Sequence, residues 1–144
     1  MRQLLAALTL MVATTSVALA QDDSDSDTEG VRAAVMAYFD AGNTGSSDLA
    51  REAFHTETGE MFIYRNDDEG ERVDTMNLGD FAARFDRAMP DRTVTFHDIN
   101  IAEGQVASAH ITIDWADGRF VDDMFLLYKI DGQWKIVAKA FAWH

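Results

Sequence analysis

Three acid–glycine steps, Glu103-Gly104, Asp117-Gly118 and Asp131-Gly132, separate four runs that each alternate like a strand. The runs are TVTFHDINIA, QVASAHITIDWA, RFVDDMFLLYKI and QWKIVAKAFAWH. X-Gly between strand patterns is a strong hairpin signal, because a two-residue turn of this hand needs positive φ. The C-terminal half is therefore predicted to be an antiparallel meander. With two-residue turns, Ala102 pairs with Gln105, Ala116 with Arg119 and Ile130 with Gln133. The faces then follow from the period of two. One face is expected to carry Val94, Phe96, Asp98, Ile111, Ile113, Trp115, Phe120, Asp122, Met124, Leu126, Tyr128, Val137, Lys139, Phe141 and Trp143. The other is expected to carry Thr95, His97, Ile99, His110, Thr112, Asp123, Phe125, Leu127, Lys129, Trp134, Ile136, Ala138 and Ala140. A single β-bulge would exchange the faces beyond it.

Upstream of the meander the pattern is mainly helical. Val31, Val35, Tyr38 and Phe39 form one apolar stripe, which predicts a helix over 29–42, capped by Thr28 or Asp27 and ended by Gly42. A short helix is expected over 48–54 and a strand over 60–65, with RVDTM returning after an acidic turn. A third helix starts at Asn77 or Asp80, contains Phe81 and Phe85, and stops at Met89-Pro90. Helices followed by antiparallel strands make the fold α+β. Three helices cover one sheet face. The other face, with Phe125, Leu127, Trp134 and Ile136, is expected to meet a second copy, giving a homodimer.

The first 20 residues stand apart. Arg2 precedes an apolar run that ends in Ala18-Leu19-Ala20, the pattern of a cleaved secretory signal peptide. The protein is expected to be exported to a periplasmic or extracellular space and to have no membrane contact after cleavage. Residues 21–29 read as a disordered acidic tail, and 30–144 as one domain. The chain has 25 acidic and 12 basic residues, a net charge of −13, which argues against nucleic acid as a partner. It has no cysteine, so neither disulfides nor thiol chemistry are available.

The helices, the bent meander and the closing DDMFLLYKIDGQWKIVAKAF together resemble the nuclear transport factor 2-like superfamily, in particular its putative lumazine-binding subset. The carrying residues are Asp123 (or Asp122), Lys129, Asp131, Gly132, Trp134, Lys135, Ile136, Val137, Lys139 and Phe141. The resemblance implies three N-terminal helices packed on a strongly curved sheet that encloses a conical pocket, a cystatin-like α+β roll. It implies a small-molecule ligand held by Tyr38, Phe62, Phe81, Phe85, Phe96, Ile113, Trp115, Asp122, Met124, Lys139 and Phe141. Members also include isomerases, dehydratases and cyclases. For catalysis the candidates here are Asp122, Lys139 and Tyr38, acting by proton transfer. Phe62 and Met124 fall near the positions of the isomerase acids, so that chemistry is not expected.

Two further function classes remain open beside ligand binding. One is such an enzyme; the other is a structural or partner-binding domain whose own aromatics fill the pocket. Lys139 and Asp122 can pair internally or anchor an acidic or carbonyl-bearing ligand. His97 and His110 are expected to be cross-strand neighbours. A metal wants three or four convergent ligands, and the third is only conceivable here, so no metal or other cofactor is assigned.

Overall fold

The alternating runs form one six-stranded sheet, and its phase departs from simple hairpin arithmetic at four places. A computed structural model describes the backbone of residues 15–144, with side chains from residue 23 onward. The elements are α1 (Thr15–Thr44), α2 (Ser47–Ala53), β1 (Glu60–Asp67), β2 (Gly70–Asn77), α3 (Leu78–Ala82), β3 (Arg92–Ala102), β4 (Val106–Trp115), β5 (Phe120–Ile130) and β6 (Gln133–Trp143). The strand order is β2-β1-β6-β5-β4-β3. Neighbours are antiparallel except β1 and β6, which run parallel through Glu60–Ala138 to Phe62–Ala140. The sheet is thus open and mixed, with the helices on its concave face, and the fold is α+β.

The register explains which side chains reach the concave side. Ile130 pairs with Gln133, as across a two-residue turn, and Ala102 with Val106, one residue further on, although at Glu103-Gly104 and at Asp131-Gly132 alike both residues have positive φ. At Asp117-Gly118 only the glycine does, with φ 89°. There Gly118 N–H donates to Trp115 O and Trp115 N–H donates to Arg119 O. The loop therefore holds three residues, Ala116 to Gly118, and Asp114 pairs with Phe120. This one-residue difference inverts β5: Val121, Asp123, Phe125 and Leu127 face the helices and are buried, while Met124, Leu126 and Tyr128 are exposed.

Two bulges complete the pattern. One interrupts β6 at Val137, between the pairs Leu127–Ile136 and Leu126–Ala138. Trp134 and Ile136 are therefore concave-facing, and so, after the phase flips, are Lys139 and Phe141. The turn and the bulge cancel at Lys139, so it faces inward as expected. The other bulge falls at His97 and offsets the one-residue shift at the first turn, where Ala102 pairs with Val106. Bulges bend a strand, and these curve the sheet around the helices.

The homodimer surface expected from sequence is corrected by the same register. Phe125, Leu127, Trp134 and Ile136 are at most 6% exposed and sit in the core beneath α1 and α2. They pack within the protomer and cannot meet a second copy.

The acidic stretch 21–29 is also a correction, because it continues α1 rather than forming a disordered tail. The physical reason is Asp27. It is nearly buried, accepts from Lys129 Nζ at 2.7 Å and from Trp134 Nε1 at 3.3 Å, and so ties the helix to the β5–β6 hairpin. Thr28, expected as a cap, lies mid-helix with its hydroxyl donating to Ser24 O. Gly30 permits the close approach: a Cβ there would lie 2.6 Å from Trp134 Cδ1. Most of the expected signal peptide, residues 1–14, lies outside the described residues. Among the described residues, no helix is long and apolar enough to cross a membrane.

Candidate functional site

Between the concave sheet face, α1 and the segment after α3 lies a cavity of about 240 Å³. Phe81, Phe85, Trp115 and Phe141 supply aromatic walls, and Met61, Met89, Val121 and Trp143 complete the apolar lining. Its polar residues are Tyr38, Asp123, Lys139, Arg84 and Arg92. Three cations thus face one carboxylate, in a chain whose net charge is −13.

The polar floor is assembled from two strands and a helix. Asp123 on β5 is 0% exposed and Lys139 on β6 is 3% exposed. Lys139 Nζ donates to Asp123 Oδ1, and Tyr38 Oη on α1 donates to Asp123 Oδ2 at 2.8 Å. Both carboxylate oxygens are thereby engaged, and no buried side-chain polar atom among the described residues lacks a partner. The ammonium is ringed by Phe141, Tyr38 and Phe125, with centroids at 4.5, 5.5 and 5.8 Å. Burial pushes the Lys139 amine below its usual range, against the pull of Asp123. Burial, then the Asp123 charge, raises the Tyr38 phenol well above its own.

Arg92 forms part of the rim. Its Nε donates to Asn43 Oδ1 and its Nη2 to Phe39 O, each at 3.0 Å. A cation here also suits the C-terminal end of α1. Gly42 makes room for it, since a Cβ there would lie 2.2 Å from Arg92 Nη2. Gly42 therefore seats an arginine rather than ending the helix. The left-handed residue after α1 is Gly45, with φ 69°.

Of the ligand-site residues read from sequence, Tyr38, Phe81, Phe85, Trp115, Lys139 and Phe141 line this cavity. Ile113 and Phe96 pack into the core beside it without lining it. Asp122, Met124 and Phe62 are corrections: all three lie on the convex face, and Met124 and Phe62 are 51% and 41% exposed. For Asp122 and Met124 the cause is the three-residue turn. Phe62 sits beside Ala140, on the face opposite Met61. Sequence reasoning missed Asp123, Arg84 and Arg92. Asp123 could not be told from Asp122 by pattern, because the alternations 121/123/125/127 and 122/124/126/128 each hold one aspartate and three large apolar or aromatic residues. The arginines carried no pattern.

The family described as "Putative lumazine-binding" matches residues 26–142. The chain belongs to it. Solved structures share the fold. An NTF2-like protein of unknown function from Shewanella baltica OS155 is 23% identical, over 92% of this chain and 98% of that one, with TM-score 0.70. An NTF2-like protein of unknown function from Methylobacillus flagellatus KT is 26% identical, over 83% and 93%, with TM-score 0.67. A cystatin-like fold protein from Burkholderia xenovorans LB400 is 16% identical, over 82% and 92%, with TM-score 0.62. No curated protein matches the chain.

Proposed function

We propose that the protein binds a compact, partly aromatic small molecule bearing a carboxylate or carbonyl group, in the cavity above Lys139. The observation that carries this reading is a cavity with aromatic walls and three cations against one carboxylate, in a strongly acidic chain. Drug-sized pockets run to roughly 300–1,000 Å³, so a space of about 240 Å³ suits a smaller ligand. The ligand's apolar body packs among Phe81, Phe85, Trp115 and Phe141, and its polar end meets Arg92 and Lys139.

Native mass spectrometry of the protein purified from its own host tests this. The expected result is a retained small-molecule mass that is lost in Arg92→Met. Tryptophan fluorescence, reporting from Trp115 and Trp143, should also respond to small aromatic carboxylates. A bare mass together with an unresponsive fluorescence signal would exclude the reading.

A catalytic reading takes its support from the lowered Lys139 amine beside Tyr38, with Asp123 in place of Asp122. It is the weaker one, because Lys139 and Tyr38 already occupy both oxygens of Asp123, leaving no free base. Export and signal cleavage before Gln21 belong to the same proposal, and N-terminal sequencing of the secreted protein tests them. Self-association is proposed through the exposed convex-face residues Phe62, Met124, Leu126 and Tyr128. Sedimentation of Leu126→Arg against the parent decides it: a dimer should become a monomer.

A further inference from the structure

The convex face holds a cluster of polar side chains apart from the cavity. The chain has four histidines, and three of them, His97, His110 and His144, gather around Asp122. His110 Nε2 lies 3.6 Å from Asp122 Oδ1, and His144 Nε2 lies 3.3 Å from Asp122 Oδ2. The rings of His97 and His110 are 4.6 Å apart. Thr112 sits among them, with its hydroxyl donating to Asp122 Oδ1 at 2.5 Å and bonded to His97 Nε2 at 2.7 Å. One ligand atom each from His97, His110 and Asp122 falls within 4.8 Å of the others.

The backbone arranges this convergence. His110 and Thr112 alternate onto the same face of β4, and Asp122 is the direct partner of Thr112 on β5. The three-residue turn at Gly118 is what puts Asp122, and not Asp123, in that position. The bulge at His97 re-aims the third group, a use to which strands put bulges next to functional sites. At the edge of the group, His144 is tied to Phe120 by two backbone hydrogen bonds and stacks on its ring at 4.6 Å.

We propose that His97, His110 and Asp122 bind one divalent transition-metal ion of the zinc type, with water or His144 in the fourth position. Bonds of about 2.0–2.1 Å in a tetrahedron place ligand atoms roughly 3.3–3.5 Å apart. The His110–Asp122 separation already approaches this. His97 is exposed, so its ring is free to reorient when an ion binds. Imidazole nitrogens favour zinc, copper or nickel over magnesium or calcium, which prefer all-oxygen sites.

The test is calorimetric titration of the untagged full-length protein with Zn²⁺ alone, then with Mg²⁺, alongside NMR of the histidine rings. One Zn²⁺ should bind per chain, and the His97 and His110 ring signals should move while those of His55 stay. His110→Ala and Asp122→Asn should each weaken binding at least ~10-fold, the loss caused by removing even an outer-shell partner. These are surface changes, and the wild-type ring shifts decide the matter even if a variant folds poorly. The proposal fails if wild type binds no Zn²⁺. It fails equally if both variants bind as tightly as wild type, placing the ion elsewhere on the acidic surface, or if Mg²⁺ binds as well.

Discussion

Asp122 and Asp123 are neighbours in sequence and differ in almost every physical respect. Asp123 is fully buried, with both oxygens held by Lys139 and Tyr38 on the concave face. Asp122 is part-exposed on the convex face among Thr112, His110 and His144. The Thr112 hydroxyl, then the nearby imidazoles, hold its carboxyl below the usual range. A strand gives adjacent residues opposite faces, so a single step in register decides which acid meets which environment. Burial makes a carboxylate dependent on fixed partners, whereas exposure leaves it free to acquire new ones.

The largest expected effect breaks this contrast directly. Asp123→Ala strands the Lys139 charge in the core, and removal of one partner of a buried pair costs about 3–5 kcal/mol. Asp122→Ala should cost less, about 0.5–1.5 kcal/mol, because it loses the hydrogen bond from Thr112 but its partners can turn to water. Urea unfolding midpoints measure both, and similar losses for the two would refute the assigned register. Tyr38→Phe comes next. It removes one of two donors to a buried carboxylate, for an expected loss of about 1–3 kcal/mol. In the same experiment, no loss would mean that water replaces the phenol.

Much of the architecture was legible because its signals are local. Three glycine turns, the apolar stripe of α1 and the returning β1–β2 pair all follow from short-range backbone preference. The strand phase was not legible, because Asp-Gly serves both a two-residue and a three-residue loop. Glu103-Gly104 shows that even positive φ at both residues does not fix the pairing, since Ala102 there pairs with Val106. Lys139 was nevertheless read as inward-facing because two one-residue shifts, at Gly118 and Val137, compensate. Phe125, Leu127, Trp134 and Ile136 lie between those shifts and were assigned to the wrong side. The clamp at Asp27 spans 102 residues to Lys129, a contact that no local pattern announces. Arg92 likewise depends on the absence of a side chain at Gly42, a reason visible only in three dimensions.

Packing should distinguish the faces more gently. Gly30→Ala pushes a methyl into the Trp134 ring, and overpacking costs about 1–3 kcal/mol, partly offset by roughly 1 kcal/mol of helix propensity. Exposed Ala140, on the convex side, should accept serine without measurable change in thermal midpoint. A stabilised Gly30→Ala protein would show that α1 is held less closely to the hairpin than the Trp134 contact implies.

The smallest effect concerns acid. The hydrogen bond from Lys129 holds the Asp27 carboxyl below its ordinary value of 3.8, with burial opposing and Trp134 adding a second donor. A folded-state value below the unfolded one means that the unfolded chain binds the proton more readily. The contribution of this contact is therefore complete above pH 3.8 and disappears as the pH falls from there through the folded-state value. Asp27→Asn should flatten that part of the stability–pH curve relative to the parent, with little change in slope near neutrality. Because Asp27 pins the middle of α1 to the β5–β6 hairpin, the accompanying loss of amide-exchange protection should concentrate in the helix around residues 23–30. Uniform loss across β4 and β5 would instead assign the acid sensitivity to Asp122, whose lowered carboxyl titrates in the same direction from the opposite face.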